Sequence, residues 1–87
     1  MLKSKQHRKR PLQDLGIAIR NRRVDLGLSQ HQLGVKAALH RTHVTDIEGG
    51  LRNLSFLTLL RVAEGLEYSL SELVGDAESI NGFQIKR

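Results

Sequence analysis

The sequence predicts a compact all-α domain, on three observations. Apolar residues recur three and four apart, and almost nothing alternates with the period of two that marks a strand. Serines stand where apolar-periodic runs begin, at Ser29, Ser55 and Ser69, and a serine there can accept a hydrogen bond from a free first-turn amide. Glycines stand where such runs end, at Gly27 and at Gly49-Gly50, as helix C-caps favour.

Five helices follow in order. Pro11 suits a first helical turn, where its missing N–H costs nothing, and Leu15, Ile19 and Leu26 recur at helical spacing up to the stop at Gly27. Arg20, Arg22 and Arg23 lie within this helix. Ser29 caps a second helix, residues 30–38, whose inward pair is Leu33 and Ala37. A third runs over residues 41–48 with Val44 and Ile47 as its inward residues. Ser55 caps a fourth, with Phe56, Leu59, Leu60 and Ala63 expected as the buried stripe. Ser69 and Glu72 form the S-x-x-E capping box of a short fifth helix containing Leu70 and Leu73.

Eighty-seven residues allow one small domain. With two Phe, one Tyr and no Trp, its core must be aliphatic. The absence of Cys excludes disulfides and thiolate metal sites. No apolar run has the length of a membrane helix, and no apolar signal segment follows the basic N-terminus. These features predict a soluble, cytoplasmic protein. The net charge of +5 is unevenly placed: residues 1–10 carry five basic groups and no acid, residues 11–63 seven basic and four acidic, residues 64–87 two basic and five acidic. One end therefore suits an anionic partner and the other repels it. The expected organisation is a basic arm over 1–10, a folded domain over 11–75 and a tail over 76–87.

The second and third helices are the informative pair. Only about three residues separate them, too few for an antiparallel hairpin, so a near-perpendicular helix-turn-helix is expected. The third helix, with two apolar residues, is a poor core element. Its polar face and N-terminal end suit the DNA major groove, where the first residues of a helix reach base edges.

The run LSQHQLGVKAALHRTHVTDIEGGLRN, residues 28–53, resembles the Xre-type, phage-repressor and Cro-like helix-turn-helix family. The flanks LGIAIRNRR and FLTLLRVAEGLEYSLSELV agree, so the likeness covers about residues 13–75. It implies a five-helix lambda-repressor-like fold. Two positions depart from the pattern. Gly34 stands where the family usually has Ala, costing roughly 1 kcal/mol of helix propensity unless close packing requires it. Ala38 stands at the turn where Gly is usual, and a slightly different backbone path is expected there.

The resemblance implies roles for individual residues. Gln30 is similar to the glutamine that bonds a phosphate and braces the recognition helix. Arg41 and Thr42 occupy the first exposed turn of the third helix. Arg41 suits either a bidentate guanine contact or a phosphate, and Thr42 a base or a thymine methyl. Thr45, ahead of His43, flanks the same face. Asp46 is expected to accept from a cytosine amino group or, more conservatively, to pair with Arg41. Arg52 and Asn53 are expected phosphate contacts, with Lys36 a weaker candidate. Arg23 and Glu48 are implied to form a partly buried ion pair.

No catalytic constellation stands out, and no cofactor is implied. His40, His43 and Asp46 would make a metal site of only three poorly placed ligands, so none is expected. Three function classes remain, the third a protein-interaction module that keeps the fold without binding DNA, against which Gln30, Arg41 and Arg52 argue. The first is a sequence-specific regulator, expected to be a repressor acting as a homodimer on an inverted repeat of double-stranded DNA. Its dimer surface would lie around Leu66, Tyr68, Leu70, Leu73 and Val74, unless these fill the monomer core. The second is an antitoxin that also binds a toxin protein through its C-terminal region, where INGFQIKR suits a short strand or a disordered end. The arm over 1–10 would follow the DNA backbone or enter the minor groove.

Overall fold

The computed structural model describes residues 10–80, and among them the chain forms five helices and no strand. These are α1 (Pro11–Asp25), α2 (Gln30–Ala37), α3 (Arg41–Glu48), α4 (Phe56–Gly65) and α5 (Leu70–Ser79). Pro11 occupies the first turn of α1. Ser29, Ser55 and Ser69 each cap their helix through the side-chain oxygen, and Ser29 and Ser69 each head a full capping box. In the second box, the Ser69 backbone amide donates to Glu72 Oε1 at 2.9 Å while the Glu72 amide donates to Ser69 Oγ at 3.1 Å. The bond from the backbone amide, and then that with the hydroxyl, hold the Glu72 carboxyl below its ordinary range. Its help to the helix is therefore present above the unfolded-state value and lost as pH falls through the lowered one.

The core is small and aliphatic, as the composition requires. Ile19, Leu33, Val44, Ile47, Val62, Leu66 and Leu73 are its fully buried large side chains. Each contributes about 1.5–3 kcal/mol relative to exposure. α1 packs on α5 and α3, while α2 packs on α3 and α4. Arg22 ties α1 to the turn after α4: Nε donates to the Leu66 carbonyl at 2.9 Å and Nη2 to that of Glu67 at 3.3 Å. The Arg22 guanidinium also lies 4.2 Å over the Tyr68 ring, a favourable cation–π placement.

Three expectations need correction. Phe56 is 67% exposed, so the buried residues of α4 are Val62, Ala63 and Gly65, followed by the buried C-cap Leu66, with Leu59 and Leu60 half-buried. Leu33 and Lys36 of α2 pack at Gly65, in the last turn of α4, so this contact falls at the opposite end of α4 from Phe56. Leu66 and Leu73, expected at a dimer surface, are wholly buried in the core. The boundary drawn after residue 75 falls inside α5, which continues to Ser79 because Ala77 is packed in the core. The rest of the tail, residues 81–87, and residues 1–9 of the arm lie outside the described residues.

The two departures at the turn have clear physical reasons. At Gly34 a Cβ would stand 2.6 Å from the Leu39 carbonyl oxygen, so glycine is required by the tight turn that follows. Leu39 N–H donates back to the Gly34 carbonyl at 2.8 Å, closing that turn. Ala38 takes φ 60° and ψ 45°. The backbone thus follows the left-handed path a glycine would take, not a different one, at a cost of about 1–2 kcal/mol for a residue with a Cβ. The other contacts of the turn outweigh that strain.

Candidate nucleic-acid interface

The turn of residues 38–40 sets α3 across α2. α3 starts from His40, whose Nδ1 accepts from the Thr42 amide at 3.1 Å. Sequence reasoning misses histidine as an N-cap; its one signal is a polar residue just before the helix. Val44 and Ile47 bury the inner side of α3 against the core. Gly16 lets α1 come close beneath its C-terminal end, since a Cβ there would stand 2.5 Å from the Glu48 carbonyl oxygen.

Glu48 is the centre of a buried network. Arg23 Nε donates to Glu48 Oε2 at 2.6 Å and Nη2 to Oε1 at 3.0 Å, a bidentate pair. The side chains are only 11% and 4% exposed. Arg23 Nη1 donates to the Leu28 carbonyl at 2.8 Å, so α1, the start of α2 and the end of α3 are held by one guanidinium. Gln30 Nε2 adds a third donor to Glu48, at 3.1 Å from Oε1. Buried charges of this kind are tolerated when paired and hydrogen-bonded throughout.

Gln30 serves α3 with both ends of its amide. Its Oε1 accepts from the Thr45 hydroxyl at 2.9 Å, and the same hydroxyl lies 3.1 Å from the Arg41 carbonyl. The Thr45 proton is therefore engaged within the protein, and only its lone pairs and methyl face outward. The second hydrogen of the Gln30 amide has no partner among the described residues.

Asp46 does not pair with Arg41. Its Oδ2 accepts from Arg52 Nε at 3.2 Å, with side-chain exposures of 29% and 50%. Five residues along a helix is about 140° of rotation, which carries Arg41 off the Asp46 side. Arg52, beyond the Gly49-Gly50 turn, comes back toward it. No local spacing rule marks this pair, because it spans a change of chain direction.

Arg41, Thr42 and Asn53 are exposed, and no hydrogen bond holds their side chains among the described residues. Arg41 and Thr42 stand on the first turn of α3, where unbonded amides add partial positive charge. His31, Val35, Leu39, His40 and Arg41 line a shallow open depression of about 380 Å³ beside that turn. Lys36 is exposed at the edge of the α2–α4 contact, its stem beside Gly65, and His43 is half-buried. Among the described residues no three His, Asp or Glu gather where they could hold a metal ion, and no helix is long and apolar enough to cross a membrane. His40 spends Nδ1 on its cap.

A helix laid across another, with an unengaged basic N-terminal turn, is the arrangement of a DNA reader. Residues 19–73 match the helix-turn-helix family. The chain is 41% identical over 51 residues to the control protein C.MunI of a Mycoplasma species, a stretch covering 59% of this chain and 69% of that protein. It is similar to the solved restriction-modification controller C.AhdI from Aeromonas hydrophila at 35% identity and a TM-score of 0.70, covering 71% of this chain and 94% of that one. The controller C.Esp1396I aligns at 30% identity and a TM-score of 0.69, over 77% of this chain and 91% of its own. The clp gene regulator ClgR of Corynebacterium glutamicum, at 24% identity and a TM-score of 0.75 over 77% and 86%, shares the fold. The protein belongs to the helix-turn-helix family, as a DNA-binding transcription regulator of the Xre type.

Proposed function

We propose that this protein is a controller of restriction-modification genes, binding an inverted-repeat operator as a homodimer with α3 in the major groove. The observation that carries this reading is the free N-terminal turn of an otherwise tied helix. Arg41 reads guanine by its planar fork or grips a phosphate, and Thr42 meets a base edge or a thymine methyl. Gln30 offers its remaining amide hydrogen and its helix-start backbone N–H to a phosphate. Thr45 presents its methyl to the groove while its hydroxyl fixes the helix. Arg52, aimed by Asp46, and Asn53 grip the backbone beyond α3. The controller relatives support the restriction-modification setting. Structures exist of C.Esp1396I variants changed at an arginine, at the threonine after it and at the tyrosine after that. Arg41-Thr42 is the one Arg-Thr pair in this chain, with His43 following.

Repression follows from occupancy: a dimer seated on a promoter excludes polymerase, in the cytoplasm where both act. No cofactor enters this reading. The antitoxin alternative placed its toxin contact in residues 76–87, but Ala77 is committed to the core of this domain, and no observation favours a toxin over DNA. The test is a titration of the DNA upstream of the protein's own gene against scrambled DNA over a salt series. Preference for the upstream DNA is expected at moderate salt. Arg41→Ala with Thr42→Ala should abolish the preference, since each good base pairing supplies about 1–3 kcal/mol of discrimination, and should leave the melting temperature unchanged. Equal weak binding to both DNAs, collapsing with salt, would overturn the reading.

A further inference from the structure

Of the five described helices, four are capped by a side chain, and the cap of α3 differs from the rest. Ser29, Ser55 and Ser69 cap with hydroxyls, which do not titrate near neutral pH. α3, whose first turn carries Arg41 and Thr42, is capped by an imidazole. Histidine is the side chain that ordinarily changes charge between about pH 5 and 8. We propose that His40 gates operator recognition by its own protonation: neutral, it holds the first turn of α3 in shape, and protonated, it lets that turn go. The effect on DNA rests on the proposed function; the response of the cap to protons does not.

The chemistry follows from the lone pair in use. His40 Nδ1 accepts from the Thr42 amide at 3.1 Å, so the neutral ring carries its one hydrogen on Nε2. An imidazolium carries a hydrogen on both nitrogens. A proton on Nδ1 therefore sets donor against donor, and the ring must swing away. Among the described residues no backbone group takes its place, and the amides of His43 and Val44 already share the His40 carbonyl, at 3.0 and 3.2 Å. The new positive charge also stands at the positive end of the helix dipole, which loosens the turn further. His40 is exposed, so protons reach it freely.

No acid stands by to offset that charge. His31 of α2 and Arg41 of α3 line the same depression as His40, and no carboxylate lines it among the described residues. His43 follows one turn along α3, and Lys36 of α2 lies instead beside Gly65. α1, the other element packed on α3, faces its far end through Arg23 at Glu48. The acids of α3 are both engaged, Asp46 by Arg52 and Glu48 by Arg23. Uncapping stays local, because Thr45 and Glu48 are fastened through Gln30 and Arg23. Base contacts from Arg41 and Thr42 need an ordered turn, whereas attraction to phosphates does not. Acid therefore trades sequence preference for general attraction, since the freed imidazolium adds a cation for the DNA backbone.

The test repeats the titration of upstream against scrambled DNA with the full chain, at fixed salt, from about pH 8 to about pH 5.5. The wild-type preference ratio should fall about fivefold, the equivalent of one lost N-cap bond. His40→Asn supplies a capping acceptor that does not titrate, so its ratio should stay high and flat. His40→Ala should give a ratio that is low and flat. A wild-type ratio that does not move would overturn the proposal. So would a His40→Asn ratio that falls as the wild type's does, which would assign the response to the other histidines. A DNA-free arm follows the Thr42 amide by NMR as the His40 ring titrates. Its protection from exchange should fall by a similar factor in the wild type and hold in His40→Asn, with the core amide of Leu66 steady in both. A Thr42 amide indifferent to the ring's proton would also overturn the gate. A cap that releases as expected, in a protein with no DNA preference at any pH, would sink the regulatory reading and leave the proton-released cap standing.

Discussion

At the N-terminal end of α3, Arg41 and Thr42 carry side chains that nothing holds among the described residues. At the C-terminal end, Thr45, Asp46 and Glu48 are each bonded to another element: to Gln30 of α2, to Arg52 beyond the turn, and to Arg23 of α1. The difference is a division of labour along two turns of helix. On the proposed reading, the side chains at the free end meet DNA and must be free to pair with it, while the axis that presents them must not move. A misplacement of the axis would shift every contact at once, so the fixed end carries the multiply bonded network. The free end carries a single cap, His40.

The largest effect should come from breaking the fixed end. Glu48→Ala leaves Arg23 buried without its partner and removes the acceptor of Gln30. A loss of about 3–5 kcal/mol is expected, read by urea or thermal unfolding as a melting temperature lower by well over about 10 °C. An unchanged melting temperature would show that the network is not what fixes α3. A smaller effect is expected at the free end. His40→Ala removes a single cap bond, about 1 kcal/mol, and amide exchange should quicken in the first turn of α3 without spreading to residues 45–48. Exchange that quickened throughout α3 would erase the distinction between the ends. Asp46→Ala should have the least effect on stability, within about 0.5 kcal/mol, because the pair it breaks is largely exposed. Its mark should be on DNA instead: Arg52, no longer aimed, should bind with less dependence on operator sequence. A stability loss as large as that of Glu48→Ala would place Asp46 with the structural network.

Much of this was legible in local patterns. The capping serines, the proline start and the paired inward residues Leu33/Ala37 and Val44/Ile47 are rules of one helix at a time, and they hold wherever that helix sits. The three arginines of α1 show where such rules end. Arg20 is exposed, Arg22 grips the turn between α4 and α5, and Arg23 anchors Glu48. Nothing in RNRR separates these fates, because each is decided by what another element brings near.

The sequence by itself determined the number of helices, their starts, the short connection that forces α3 across α2, and the basic first turn that faces outward. These follow from hydrogen-bond satisfaction and side-chain periodicity, which act over a few residues. Only the tertiary structure decided that Asp46 pairs with Arg52, that Gln30 spends its amide on Glu48 and Thr45, and that Phe56 is left exposed while Leu66 and Leu73 are buried. Those outcomes depend on where α2 crosses α4 and how closely α1 approaches α3. Crossing position is a property of two packed surfaces together, and neither helix carries it alone.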